Sequence, residues 1–209
     1  PFNRSQIIYR IAEMLEGRRE QFVAEIMKQG ASKANAEKEV NLTIDRIVYY
    51  AGWCDKFSQV FSSVNTVSSS HFNFSTLEPM GVVGIIVPQD TSLLGLVSTI
   101  LPALVGGNTC VVLASEDLPL CAITFAEVIN SSDVSGGVIN ILTGNQKELL
   151  SGFSTHMDIN AVLYAGGNSE LFSIIQEECT SNLKRVYSYQ KDWWKEEGQD
   201  VYMINDFQE

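Results

Sequence analysis

"GVVGIIVPQDTSLLGLVSTILPALVGGNTCVVLA", residues 81–114, is the stretch that decides the fold. Its first seven residues are an apolar, β-branched run stopped by Pro88, the pattern of a strand buried on both faces. The "SLLGLVSTILPALVGG" that follows is apolar all round and closes on Gly106 and Gly107, as a helix sealed inside a protein does. "TCVVLA" is a second buried strand. Strand, helix and strand joined by short connections predict a parallel pair with a crossover.

The unit recurs downstream. "LPLCAITFAEVINSS" predicts a helix, "GVINILTG" a strand, "QKELLSGF" a helix, "INAVLYAGG" a strand, "SELFSIIQEECTS" a helix and "LKRVYSY" a last strand. The predicted class is α/β, a Rossmann-like doubly wound parallel sheet over residues 81–190. Two long helices and a loose hairpin precede it. Apolar residues at Ile7, Ile8, Ile11, Leu15, Phe22, Val23 and Ile26 predict one helix from about Asn3 to Gln29, ended by Gly30. A second helix, from about Asn35 to Phe57, carries Val40, Ile44, Ile47, Val48 and Ala51 on one face. Residues 1–60 are thus a helical part, and 61–80 a Ser-rich loop or hairpin whose aromatics are expected to pack on something. Residues 191–209 form a polar tail of unassigned structure. Its Trp193 and Trp194 either anchor a partner or pack on this domain or on one outside these residues.

Composition narrows the function. The net charge is -11 with no basic cluster, which argues against nucleic acid and anionic membrane as partners. No apolar run reaches the length of a membrane span. The four cysteines match neither a zinc site nor a redox CxxC, and Cys110 and Cys121 sit among apolar neighbours. Scattered thiols suit a reducing compartment, so a cytoplasmic location is expected. With two histidines, a histidine-rich metal centre is not expected. The missing initiator Met and the open-ended "MINDFQE" suggest a piece of a longer protein.

A parallel sheet binds ligands at its strands' carboxyl ends, where "VPQD", "LASED", "LTGNQ" and "YAGGN" fall. No G-x-G-x-x-G and no Walker A motif is present. Gly166 and Gly167 precede a helix start whose N–H groups suit a phosphate, although Asn168 or Ser169 serves equally as an ordinary N-cap. Glu116 either accepts from ribose hydroxyls or is a solvated carboxylate. No serine occupies a nucleophile elbow.

"RIVYYAGWCDKF", "LEPMGVVGIIVPQD", "LPALVGGNTCVVLASEDLPL", "GGVINILTG" and "HMDINAVLYAGGN" resemble, in order and spacing, the aldehyde dehydrogenase superfamily, over about Arg10 to Val186. The resemblance implies the cofactor-domain portion of such an enzyme, with NAD or NADP as cofactor. The contacts carried over are Glu116, Gly144, Gly166 and the main chain near Val87 and Pro88. It also implies a homo-oligomer built through a bridging hairpin, or packing against a catalytic aldehyde dehydrogenase unit. The catalytic cysteine loop of the family lies beyond these residues.

Departures from the family pattern fall on its chemistry. The Trp-Asn pair after the strand-end proline is Gln89-Asp90 here, and an ionised Asp90 has no proton to donate to an oxyanion. The cofactor-binding Lys falls on Leu113, the second turn glycine on Gln146, the pyrophosphate Ser on Gly167 and the general-base Glu on Tyr189. The paired glycines of "LELGGK" fall on Lys191 and Asp192. The scaffold persists while the chemistry has changed, as in a pseudoenzyme. The degenerate second unit of the large tandem, sixteen-type members resembles this pattern, and a shorter decayed paralogue is the other reading. No catalytic residue is predicted in this chain. The alternative function is the cofactor-binding part of an NAD(P)-dependent aldehyde oxidoreductase.

Overall fold

The computed structural model describes residues 2–209. The chain begins with α1 (Phe2–Gly17), α2 (Arg19–Lys28) and α3 (Lys33–Ala51), then a short α4 (Phe57–Phe61). A small antiparallel hairpin follows, β1 (Ser63–Asn65) and β2 (Asn73–Ser75), with Val64 opposite Phe74. Next come β3 (Val82–Ile86), α5 (Leu94–Gly106), β4 (Thr109–Leu113), α6 (Leu120–Asn130) and β5 (Ile139–Leu142). The chain then runs through α7 (Gln146–Thr155), β6 (Ala161–Tyr164), α8 (Ser169–Cys179), β7 (Arg185–Ser188) and a last turn of helix, α9 (Tyr202–Asn205).

The five-stranded sheet has the order β5-β4-β3-β6-β7, and every pair is parallel. From β3 the chain winds outward through β4 to β5, then returns to the other side of β3 for β6 and β7. That reversal makes the sheet doubly wound and opens a crevice at the carboxyl ends of the paired β3 and β6, whose following connections leave on opposite faces. One face carries α5 and α6, with α1–α3 as an outer layer; the other carries α7 and α8. Every residue of α5 is buried, because the sheet covers one side of it and α3 the other. This explains why the decisive stretch is apolar all round.

Three expectations are corrected. The first helix is two, broken at Arg18 (φ -105°, ψ 15°), just after Gly17, whose backbone resists helical ordering most. The second helix stops at Ala51, whose carbonyl is taken by the Ser5 hydroxyl at 3.0 Å. A turn through Gly52 then leads to the separate α4. In the hairpin, Phe72 and Phe74 lie against each other with centroids 5.4 Å apart but stay mostly exposed. They do not pack into the core.

Residues 191–209 fold back on the domain. Trp193 is buried with Leu94, Ala165 and Met203, and the Lys38 ammonium lies 5.4 Å over the Trp194 ring. The last residues run antiparallel to the strand entering β3, with Glu78 and Glu209 exchanging both backbone hydrogen bonds (3.0 and 2.9 Å). No helix among the described residues is long and apolar enough to cross a membrane.

Candidate functional site

Two adjoining clefts open at the carboxyl ends of the strands. The first, about 550 Å³, sits at the β3/β6 reversal between Pro88–Asp90, Ala165–Gly167 and Tyr189–Trp193. The second, about 390 Å³, lies over the ends of β3, β4 and β5 against Glu116, Asn145–Lys147 and Asn168. Gln89 and Gly166 line both.

The loop after β3 is shaped by its own backbone needs. Val87 N still donates to Leu113 O, so β3 runs on to the proline. Pro88 has no N–H and ends the ladder. Thr91 Oγ1 then accepts from Gly95 N at 2.9 Å. The buried Glu39 of α3 accepts from Leu93 N (2.8 Å) and Leu94 N (3.1 Å). Leu93, at the N-cap of α5, offers no side-chain acceptor of its own, so this start is capped from another helix.

Three of the five expected cofactor positions, Pro88, Glu116 and Gly166, line these clefts. Val87 is buried and lines neither cleft, and its carbonyl accepts from Gln89 Nε2 at 2.9 Å. Pro88 lines the first cleft and Glu116 the second. The Glu116 carboxylate accepts from Asn145 Nδ2 at 2.7 Å and from Gln146 N at 3.0 Å, which ties the β4 loop to the start of α7. Gly166 stands over the Tyr164 side chain, where a Cβ would come within 2.8 Å of the hydroxyl. A glycine is required there by the strand beneath it. Gly144 lines neither cleft; a Cβ there would meet Leu149 Cδ1 at 2.8 Å.

The changed positions show where their side chains have gone. Leu113 is fully buried in the apolar layer under α7 and α8, with Ile86, Leu150 and Phe153. Gln146 is buried at the start of α7. Of the two candidate caps for α8, Asn168 is the one used: its Oδ1 accepts from Glu170 N (2.9 Å) and Leu171 N (3.2 Å). Two of the N–H groups that suit a phosphate are therefore already engaged. Tyr189, on the wall of the first cleft, donates its hydroxyl to Asp206. Burial first, and then this bond, drive the phenol far above its ordinary range, so it stays protonated.

Gln89, Tyr164, Trp193 and Asp206 shape the site, yet their contacts carry no local sequence signal. Only the polarity of Gln89 at a strand end hints at its part.

The four cysteines are all buried free thiols. Desolvation pushes Cys54 up to about 11 and Cys110 and Cys121 up to about 12, and raises Cys179 as well. Among the described residues, no group of three or more His, Cys, Asp or Glu side chains is placed to hold a metal.

This arrangement has relatives. The aldehyde dehydrogenase family model matches residues 1–188. Cytosolic aldehyde dehydrogenase 1 of Elephantulus edwardii is 34% identical over 187 residues, covering 88% of this chain and 36% of that protein. Cytosolic 10-formyltetrahydrofolate dehydrogenase of Xenopus laevis is 31% identical over 189 residues, covering 89% of this chain and 21% of its own length. The aldehyde dehydrogenase of Bacillus cereus, solved as an NAD+ complex, superposes with a TM-score of 0.83 at 26% identity, covering 90% of this chain and 38% of that one. The chain thus spans between a fifth and two fifths of these relatives' lengths. With the doubly wound sheet and the β3/β6 crevice, these matches establish that the chain belongs to the aldehyde dehydrogenase family.

Proposed function

We propose that these residues form a non-catalytic, aldehyde-dehydrogenase-like domain with a structural or oligomer-supporting role within a larger protein of the family. The position of the family's general base carries this reading, since the Tyr189 hydroxyl there is held neutral against Asp206. The four cysteines present supply no nucleophile of their own, each being buried with its pKa raised. Asp90, exposed at the mouth of the first cleft, puts an acceptor where an oxyanion needs a donor. The exposed Val64, Phe72 and Phe74 of the hairpin are the surface that packing on another unit would use.

A second reading is favoured by one observation. The clefts are open and share Gly166, so a dinucleotide-binding half acting with a catalytic part elsewhere in the protein is the alternative. Calorimetric and thermal-shift titration of the 209-residue chain with NAD and NADP separates the two. The first reading expects neither heat nor stabilisation at millimolar cofactor, and no NADH on adding aldehydes. A bound cofactor would raise stability by about 2.7 kcal/mol at a hundredfold excess over Kd, which a melt detects easily. Saturable binding moves the assignment to the second reading.

The thiols give an independent check. Native protein at mildly alkaline pH is expected to leave all four cysteines unmodified by an aromatic disulfide reagent, and denatured protein to react at all four. One fast-reacting native thiol would return a nucleophile to the chain.

A further inference from the structure

We propose that Gln89 is an internal ligand, its carboxamide filling the place a ribose would take at the carboxyl end of the sheet and so keeping dinucleotides out. This inference rests on the reading that the cleft descends from a cofactor site. Gln89 lies in the loop after β3, half-buried, and lines both clefts. Its Nε2 donates to Val87 O at 2.9 Å. Its Oε1 accepts from Glu116 N at 2.8 Å and from Ser115 Oγ at 3.3 Å. One amide therefore joins a carbonyl of the β3 loop to the donors of the β4 loop.

That set of partners is what a vicinal diol satisfies. A ribose hydroxyl both donates and accepts, so it can give a proton to a carbonyl and take one from a backbone N–H. The neighbouring Glu116 carboxylate holds one partner on each oxygen and keeps lone pairs to spare on the wall of the second cleft. Gln89 is held beside its partners by the folded chain, two residues from Val87 and across the sheet from Ser115 and Glu116, so its effective concentration far exceeds that of any free nucleotide. An entering ribose must displace the amide, so its bonds to Val87 O, Ser115 Oγ and Glu116 N only replace those the amide gives up. The β3 loop thereby selects against ribonucleotides without a clash or a charge.

The test compares the wild-type chain with Gln89→Ala, using AMP and NAD as probes and the 2′,3′-dideoxy form of AMP as control. Gln89→Ala is expected to bind AMP and NAD at least about tenfold more tightly than wild type, the equivalent of about 1.4 kcal/mol. The dideoxy probe is expected to gain nothing. Gln89→Met, which fills similar space without hydrogen bonds, frees the same three partners and is expected to show a gain in the same direction. It serves if the alanine variant folds poorly.

Equal affinity of wild type and both variants would overturn the role of Gln89, whatever its absolute value. If none of them binds, the non-catalytic reading stands while this inference falls. If wild type binds NAD as tightly as the variants, both fall. A gain that extends equally to the dideoxy probe would also overturn it, since the opened space would then be generic rather than ribose-shaped.

Discussion

Arg46→Ala is expected to lower the unfolding free energy by about 3 kcal/mol, because several hydrogen bonds to one buried cation are lost together. Arg46 projects from α3 and is 3% exposed. Its guanidinium donates to Ser98 Oγ (2.8 Å), Trp193 O (3.2 Å), Lys195 O (3.3 Å) and Gly198 O. No carboxylate pairs with it among the described residues. Desolvation lowers its pKa, so the charge is held by α5 and by carbonyls of residues 193–198 alone. Alanine leaves those carbonyls short of a donor and opens a cavity beneath Trp193. At this chain length the loss corresponds to a fall in melting temperature of about 10 °C. Arg46→Lys keeps the charge but has no planar fork to span four acceptors, and is expected to recover less than half of the loss. Hydrogen exchange gives the local signature: the amides of Lys195, Gly198 and Gln199 are expected to lose protection well before those of β3 and β4. A melting change below about 2 °C would mean that water replaces the guanidinium at little cost.

The contrast between the sheet and this segment shows what a sequence carries. The strands were legible because burial on two faces writes itself into every residue, as in "GVVGIIV" and "AVLY". The docking of residues 191–209 was not. Arg46 reaches acceptors 147 to 152 residues away, and they are backbone carbonyls, which any sequence possesses. Gly198 is the one residue type the contact selects: a Cβ there would fall 2.9 Å from Arg46 Nη1 and 2.9 Å from Trp193 Cα. In isolation, that glycine reads as a turn.

The cleft behaves the same way. Pattern and resemblance put Pro88, Glu116 and Gly166 at the strand ends, where they line the clefts. Whether such a residue is free to meet a ligand depends on its partners. Glu116 is shared with Asn145 and Gln146 across 29 and 30 residues of chain, and Gln89 turns back on its own loop. The break at Arg18 was hidden because the apolar period continues through it: Leu15 and Phe22 are both fully buried on either side of the turn. Periodicity reports which face is buried, and a kink that keeps the face leaves no mark in it.

Glu39→Ala is the second large effect, again about 3 kcal/mol, since it strips two buried N–H groups of their acceptor. Glu39 is 4% exposed, and one oxygen, Oε1, serves both Leu93 N and Leu94 N. These groups open α5, where the helix dipole favours a negative charge, and the local sequence offers no cap at Leu93. Glu39→Gln keeps a carbonyl oxygen at the same reach and loses only the charge, so it is expected to cost about 1 kcal/mol. The ordering Ala worse than Gln worse than wild type, read by urea unfolding with unchanged m-value, is the diagnostic result. Equal losses for Ala and Gln would assign the effect to charge alone, and losses below about 0.5 kcal/mol would show the cap to be dispensable. The position also links stability to the cleft. α5 starts just after Gln89 and Asp90, and Ser92 is held by Gln29 at 2.6 Å beside the same cap. Loosening that start is expected to increase exchange of the amides of Leu93, Leu94 and Gly95 ahead of the sheet, and so to unfix the loop that carries Gln89.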